Sequence, residues 1–245
     1  HVDIVAFTGS VSTGKKVVVA AAKAFIPAYL ELGGKDPAII MLGSDLERTA
    51  SAVLRASVTA SGQACQSIER IYVHDRDHEP FTKLLVKKAK QVEISMEDES
   101  RDVIGPLILE KQADTINDHL ADARSKGAII ECGGIVKIWN GGLWIAPTVI
   151  TNVSHSMKIM TEESFGPLMP IMAYESEEQA INLANDSVYG LSAAVFGPDN
   201  ASALALARKI NVGGISVNDA GLTAFIHETE KMAFGYSGMG PSRMG

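Results

Sequence analysis

Cys65 is one of two cysteines in 245 residues, and it stands in "ASGQACQSIER" (60–70), where Gly62, Gln63 and Ser67 indicate a polar loop. A free cysteine is usually a small buried hydrophobe, and taken alone that structural reading is favoured. A thiol that a ligand can reach, in surroundings that favour its thiolate, is instead a nucleophile. Glu31, in "LELGGKDPAII" (30–40), is a complementary group: a carboxylate between two leucines, placed to act as a general base. Its plainer reading is an edge glutamate turned to water. Gly33 and Gly34 beside it indicate a close approach of backbone to something, such as a ligand.

Two other stretches could carry chemistry. In "FTGSVSTGKKV" (7–17) a strand ends at Gly9 and Ser10 and a helix follows, with Gly14 close behind. A helix start presents free N–H groups and a positive dipole end, which suits phosphate. The text matches neither G-x-G-x-x-G nor a Walker A loop, and such glycine turns are more often punctuation than sites. In "TEESFGPLMP" (161–170), Glu162 and Glu163 precede a Phe165-Gly166-Pro167 turn that could brace a ligand; adjacent acids are otherwise ordinary solvated surface. Cys132, in "AIIECGGI", has apolar neighbours and reads as structural. His74 and His78 have i,i+4 spacing but no further ligands, and there is no CxxC pair, so no metal site is expected.

The elements that must position these groups alternate. "VDIVAF" reads as a short buried strand and "TGKKVVVAAAKAF" as a helix stopped by Pro27; "AYLELGG" is extended and "PAIIML" another buried strand. A helix over "DLERTASAVLRASVTASG" (45–62) is capped by Ser44 or Asp45. "ERIYV", "AIIECGG", "LSAAVFG" and "GGISVN" read as strands, and "LWIAPTVI" as an extended run broken by Pro147. "HEPFTKLLVKKAKQV", "QADTINDHLADARSKG", "SEEQAINLANDS" and "NASALALARKI" read as helices. Strands alternating with such helices predict an α/β fold, a mostly parallel sheet covered on both faces. "MEDESRD" (96–102) reads as an acidic loop and the tail "FGYSGMGPSRMG" as another.

Composition bounds the function. A formal charge of -7 disfavours a nucleic-acid binder. No apolar run approaches the roughly 20 residues of a membrane span. Sparing cysteine use fits a reducing compartment. The chain opens on a strand without methionine or signal peptide and reads as part of a longer one.

Taken in order, "FTGS", "LELGGK", "GQxC" and "EESFGP" resemble the NAD(P)-dependent aldehyde dehydrogenase superfamily. The resemblance continues through "PTVI", "NDSVYGLSAAVF" and "GGISVND", and Glu31 and Cys65 have the family's separation of base and nucleophile. It implies a three-layer catalytic domain at 34–245, with residues 1–33 as the end of a Rossmann-like cofactor domain. It implies that Cys65 attacks an aldehyde, that the thiohemiacetal yields hydride to NAD or NADP, and that Glu31 activates water against the thioacyl intermediate. The Cys65 N–H would help hold the oxyanion. Gly9 and Ser10, with the turn to Gly14, would approach the pyrophosphate; Leu32 would contact the carboxamide, Glu163 the nicotinamide ribose and Phe165 the nicotinamide. "SVNDAGLTAFIHETE" (216–230) would line the substrate tunnel. "SFGP" stands where "IFGP" is commoner in the family. A cytoplasmic homodimer or homotetramer is implied for the full-length enzyme, with no membrane or nucleic-acid partner. The rival readings are a CoA-acylating relative, against which Glu31 speaks, a cysteine hydrolase with His74 as base, and a fragment serving only for binding or assembly.

Overall fold

The computed structural model describes residues 2–94 and 104–221. The acidic loop at 96–102, the tail at 234–245 and the tunnel segment beyond residue 221 lie outside the described residues.

The chain begins with β1 (Val5–Gly9), α1 (Val11–Ala24) and β2 (Ala28–Leu32), and the two strands pair in parallel as a sheet of their own. Ser10 caps α1 by accepting the Thr13 N–H at 3.3 Å. The helix starts two residues before the run read from the sequence, because that cap satisfies its first turn. Gly33 and Gly34 then lead into β3 (Asp36–Ile40). After it come α2 (Leu46–Val58), β4 (Ile68–His74), α3 (Asp75–Ala89), α4 (Glu110–Ser125) and β5 (Ile129–Cys132). The rest is β6 (Val136–Trp139), β7 (Gly142–Ile145), β8 (Thr148–Thr151), α5 (Lys158–Thr161), β9 (Leu168–Tyr174), α6 (Glu177–Asn185), β10 (Ser192–Phe196), α7 (Asn200–Ala207) and β11 (Gly214–Val217).

Seven strands form one sheet in the order β11-β10-β3-β4-β9-β8-β5, parallel except where β5 meets β8. Strand alternation divides the core in two. Ala38, Ile40, Ile71 and Val73 face α2 and α3 through Val53, Phe81 and Leu85. Ile39, Tyr72 and Val195 face α4, α6 and α7 through Ile116, Leu120, Ala180 and Leu206. The result is three layers, helix on sheet on helix, and each fully buried Val, Leu, Ile or Phe side chain among these contributes roughly 1.5–3 kcal/mol.

The structure departs from the sequence reading or sharpens it at several points, beginning with β1, read as a buried strand, whose residues alternate half-buried and exposed. The helix predicted over 45–62 ends at Val58, because Ala60 and Ser61 take left-handed φ values of 53° and 59°. Asp45 is its cap, accepting from Arg48 N at 3.1 Å, while Ser44 Oγ donates to Met41 O at 2.6 Å and to Phe196 O at 3.0 Å. The extended run "LWIAPTVI" is two strands with different partners: β7 pairs with β6, and β8 with β5 and β9. β9 was not anticipated at all, since Pro167 and Pro170 argue against a central strand. It is tolerated because pairing with β8 covers Leu168–Pro170 while pairing with β4 begins at Ile171, so Pro170 falls where β9 changes partner.

Candidate active site

The small sheet and the large one meet end to end. Gly9, Glu31 and Leu32 close the C-terminal ends of β1 and β2, in the register Thr8 opposite Glu31 and Gly9 opposite Leu32. Asp36 opens β3, Cys65 precedes β4, and Glu163 to Phe165 precede β9. The end of β2 thus runs into the starts of the large sheet's strands, and Glu31, Leu32, Cys65 and Glu163 are brought together there, since the Gly33-Gly34 segment touches Cys65 O and the Glu163 carboxylate.

Cys65 is held by an unusual loop. Ala60, Ser61 and Gly62 are successive left-handed residues, with Gly62 at φ 69°, a conformation that side chains other than glycine adopt at a cost. The loop is braced from outside. Ser61 Oγ accepts from Gly105 N at 2.7 Å and donates to Gly105 O at 3.0 Å. Gln63 Oε1 accepts from Ile108 N at 2.8 Å, and its Nε2 donates to Pro106 O at 3.2 Å. A Cβ on Gly62 would stand 2.4 Å from the backbone carbon of Gly166, so the cysteine loop lies directly on the Phe165-Gly166-Pro167 turn.

The paired glycines have the same kind of reason. A Cβ on Gly34 would stand 2.4 Å from Cys65 O and 2.7 Å from Asp36 Oδ1; one on Gly33 would stand 2.2 Å from Glu163 Oε2. The segment after Glu31 thus threads between the cysteine loop and Glu163, and Gly34 N donates to Glu163 Oε1 at 3.2 Å. What approaches these glycines closely is the protein's own backbone and carboxylates.

Electrostatics here run against the expectation of surroundings that favour a thiolate. Cys65 is half-buried, and its thiol is pushed up to about 11, first by burial and then by the carboxylates of Asp36, Glu163 and Glu31. Burial, helped by Glu69, raises Glu163 to about 7 against the opposing Gly34 N–H and Lys35. Asp36, missed in the sequence reading, is buried and raised to about 8 by desolvation, although Ser192 donates to it through both N, at 3.1 Å, and Oγ. The sequence reading also leaves out three more buried charges: Lys35 and Glu69, paired at 2.7 Å, and Arg70, whose Nε donates to Lys35 O at 2.7 Å. The signal was present: charged residues set inside the otherwise apolar runs "GGKDPAII" and "SIERIYV".

Other expected residues fall as follows. Ser10 is exposed and Gly9 half-buried at the start of α1. Gly14 is not in a turn: it lies inside α1, facing β2, where a Cβ would stand 2.6 Å from Leu32 Cδ2. Its lack of a side chain lets helix and strand approach. Leu32 is buried and Phe165 is half-buried at φ 49°. Cys132 Sγ donates to Pro147 O at 3.7 Å, and His74 Nδ1 accepts from Arg76 N at the start of α3. A cleft of about 510 Å³ along α6, lined by Ser176, Glu178, Gln179, Asn182, Leu183 and Asp186, shares none of these groups.

Residues 1–245 match the profile described as "Aldehyde dehydrogenase family". The chain belongs to the aldehyde dehydrogenase family. Among its relatives, the chloroplastic betaine aldehyde dehydrogenase of Atriplex hortensis is 37% identical over 227 residues, 92% of this chain and 45% of its own. The solved structure of PutA from Anabaena variabilis superposes with TM-score 0.92 at 55% identity, covering 100% of this chain and 52% of that one. A betaine aldehyde dehydrogenase from Staphylococcus aureus, solved in complex with NAD+, superposes with TM-score 0.84 at 36% identity, over 89% of this chain and 44% of that one. The chain thus spans about half the length of the aldehyde dehydrogenases it matches. Among the described residues, no helix is long and apolar enough to cross a membrane, and no group of three or more His, Cys, Asp or Glu is placed to hold a metal ion.

Proposed function

We propose that the full-length protein oxidises an aldehyde to a carboxylate with NAD or NADP, with Cys65 as nucleophile and Glu31 as general base. The observation that supports this best is the convergence at the sheet junction: the Gly33-Gly34 segment directly after Glu31 packs against both Cys65 O and the Glu163 carboxylate. Cysteine, base and a ligand-binding carboxylate in one place are the parts of a covalent oxidation completed by hydrolysis.

The residues present suit a nicotinamide dinucleotide. The exposed start of α1 offers its first N–H groups to a pyrophosphate, with Gly9 and Ser10 alongside. Glu163 spends Oε1 on Gly34, which leaves Oε2 to accept from a ribose hydroxyl. Phe165 presents a half-buried ring, and the Leu32 backbone lies at the end of β2 for the carboxamide. When bound, the nicotinamide supplies the acceptor for the substrate's hydride.

The chain's own residues carry the other steps. Cys65 gives its thiol proton to solvent water as Sγ adds to the aldehyde carbon, and the Cys65 N–H donates to the resulting oxyanion. Once the substrate is oxidised to a thioacyl group on Cys65, Glu31 takes a proton from water as the water oxygen bonds to the acyl carbon. The carbon–sulfur bond then breaks, releasing the acid and leaving the Cys65 thiolate, which is reprotonated as Glu31 gives up the proton it took from water. We assign residues 1–33 to the cofactor domain and 34–245 to the catalytic domain, and the enzyme to a homodimer or homotetramer. A cytoplasmic location is supported by two cysteines that both stand as free thiols.

The test is rapid-mixing absorbance with NAD(P)+ and an aldehyde panel on the full-length protein. Glu31→Gln is expected to release about one equivalent of NAD(P)H per active site and then turn over about 10²–10⁴-fold more slowly than wild type, with an acyl adduct on Cys65. Cys65→Ser is expected to show no burst. A Glu31→Gln enzyme with wild-type turnover would remove Glu31 as base and favour transfer of the acyl group to CoA.

A further inference from the structure

We infer that Glu69 is a positioning residue for the turn that carries Glu163 and Phe165, an inference that rests on the cofactor reading above. Glu69 stands four residues after Cys65. Pairing between β3 and β4 joins Asp36 to Ile68 and then Pro37 to Arg70, so Glu69 is the extra residue of a bulge. Bulges re-aim side chains beside functional sites, and this one sends a carboxylate beneath the neighbouring turn.

One carboxylate holds two successive backbone donors there. Glu69 Oε2 accepts from Ser164 N at 2.7 Å, and Oε1 accepts from Phe165 N at 2.8 Å. Those N–H groups have no strand or helix to join, since α5 ends at Thr161 and β9 starts at Leu168. Consecutive N–H groups beside a left-handed residue form a concavity that takes an anion; Phe165 is that residue, at φ 49°. Here the anion is an internal side chain.

The negative charge is balanced on the spot. Lys35 Nζ donates to Glu69 Oε2 at 2.7 Å and to Ser164 Oγ at 3.0 Å. His119 Nδ1 lies 3.1 Å from the same Oγ, and Gln112 Nε2 donates to Ser164 O. Lys35, Glu69, Ser164 and His119 are all at most 2% exposed. Lys35 directly follows Gly34, whose N–H holds Glu163 Oε1. The segments after Glu31 and after Cys65 therefore meet under the 163–165 turn and set it relative to both. Ser164 is the residue that departs from the commoner "IFGP", and its hydroxyl is what Lys35 and His119 share. A buried ion pair is a poor source of stability, because desolvation offsets its attraction. Geometry is what this one contributes.

The experiment compares Glu69→Gln with wild type in the full-length protein by hydrogen exchange, NADH binding and single-turnover hydride transfer. Gln cannot offer two anionic oxygens to Ser164 N, Phe165 N and Lys35 together. Exchange is expected to rise in the peptide spanning 162–167 while β10 and β3 stay protected, which a general loss of stability would not do. NADH affinity is expected to fall about tenfold, as for one lost charge-assisted hydrogen bond. Hydride transfer is expected to fall about 10²-fold, as for an ångström-scale misplacement. If a lysine left without its partner prevents folding, Lys35→Met/Glu69→Gln removes both charges and is read the same way. Unchanged exchange at 162–167, or raised exchange with wild-type NADH affinity and hydride transfer, overturns the inference. A wild-type protein that binds no NAD(P)H overturns the functional reading itself, whereas wild-type binding with an indifferent variant overturns this inference alone.

Discussion

At the scale of single residues, the roles follow from what surrounds each group. A thiol pushed up to about 11 by burial and three nearby carboxylates is almost wholly protonated at pH 7. Rising pH raises the thiolate fraction, more slowly while the neighbouring carboxyls are themselves ionising. Alkylation of Cys65 by iodoacetamide without cofactor should therefore keep climbing from pH 7 to near pH 11, less than tenfold per unit while Glu163 and Asp36 ionise around 7 and 8, and about tenfold per unit above that. Mass spectrometry of the two cysteine peptides across that range checks it. A Cys65 rate that is flat from pH 7 upward would mean a thiolate already formed and surroundings unlike those described. Cys65, Glu31 and Glu163 could be singled out from their neighbours in the sequence. Asp36, Lys35 and Glu69 could not be given roles, because each acts through a partner at least 34 positions away.

At the scale of elements, the site depends on loops packed backbone to backbone. Gly62 combines φ 69° with an empty Cβ position 2.4 Å from Gly166 C and 2.5 Å from Gly166 O. Gly62→Ala must therefore either shift the cysteine loop or push the Gly166–Pro167 segment away. The backbone strain alone costs about 1–3 kcal/mol. A lowered denaturation midpoint is expected, together with loss of most hydride transfer, since the same shift separates Cys65 from Phe165. Denaturant melts and single-turnover kinetics on the variant decide it; a fully active, fully stable Gly62→Ala protein would contradict the close packing. The helix was overextended to 62 in the sequence reading because nothing local forbids "VTASG" from continuing α2. What turns the backbone left-handed is the bracing of Ser61 and Gln63 by residues 105–108.

At the scale of the whole molecule, two bodies of unequal strength meet. The seven-stranded sheet is clothed on both faces, whereas β1 and β2 form a two-stranded sheet with one helix, and Ile4, Phe25 and Tyr29 lie exposed on it. A two-stranded unit is marginal on its own. In the 245-residue chain, amides of β1 and β2 should exchange faster than those of β3, β4 and β10, and added NAD should protect them little. Exchange mass spectrometry tests this. Equal protection across both sheets would argue against dividing the chain at residue 33.

Local pattern determined much of this protein from the sequence alone. Apolar runs separated by amphipathic helices specify a parallel α/β sheet, because a strand buried on both faces must be apolar throughout and needs a helix to return the chain. The order of four motifs pointed to the family, and polar context marked Cys65. Tertiary structure alone decided which strand lies beside which, that Pro170 can sit within β9, and that Gly33 and Gly34 make way for Glu163 and the cysteine loop. It also decided the charge state of the site. A carboxylate's effect on a thiol depends on distance and on the water between them. Asp36, Glu163 and Glu31 come within reach of Cys65 only when the starts of β3, β4 and β9 are brought against the end of β2.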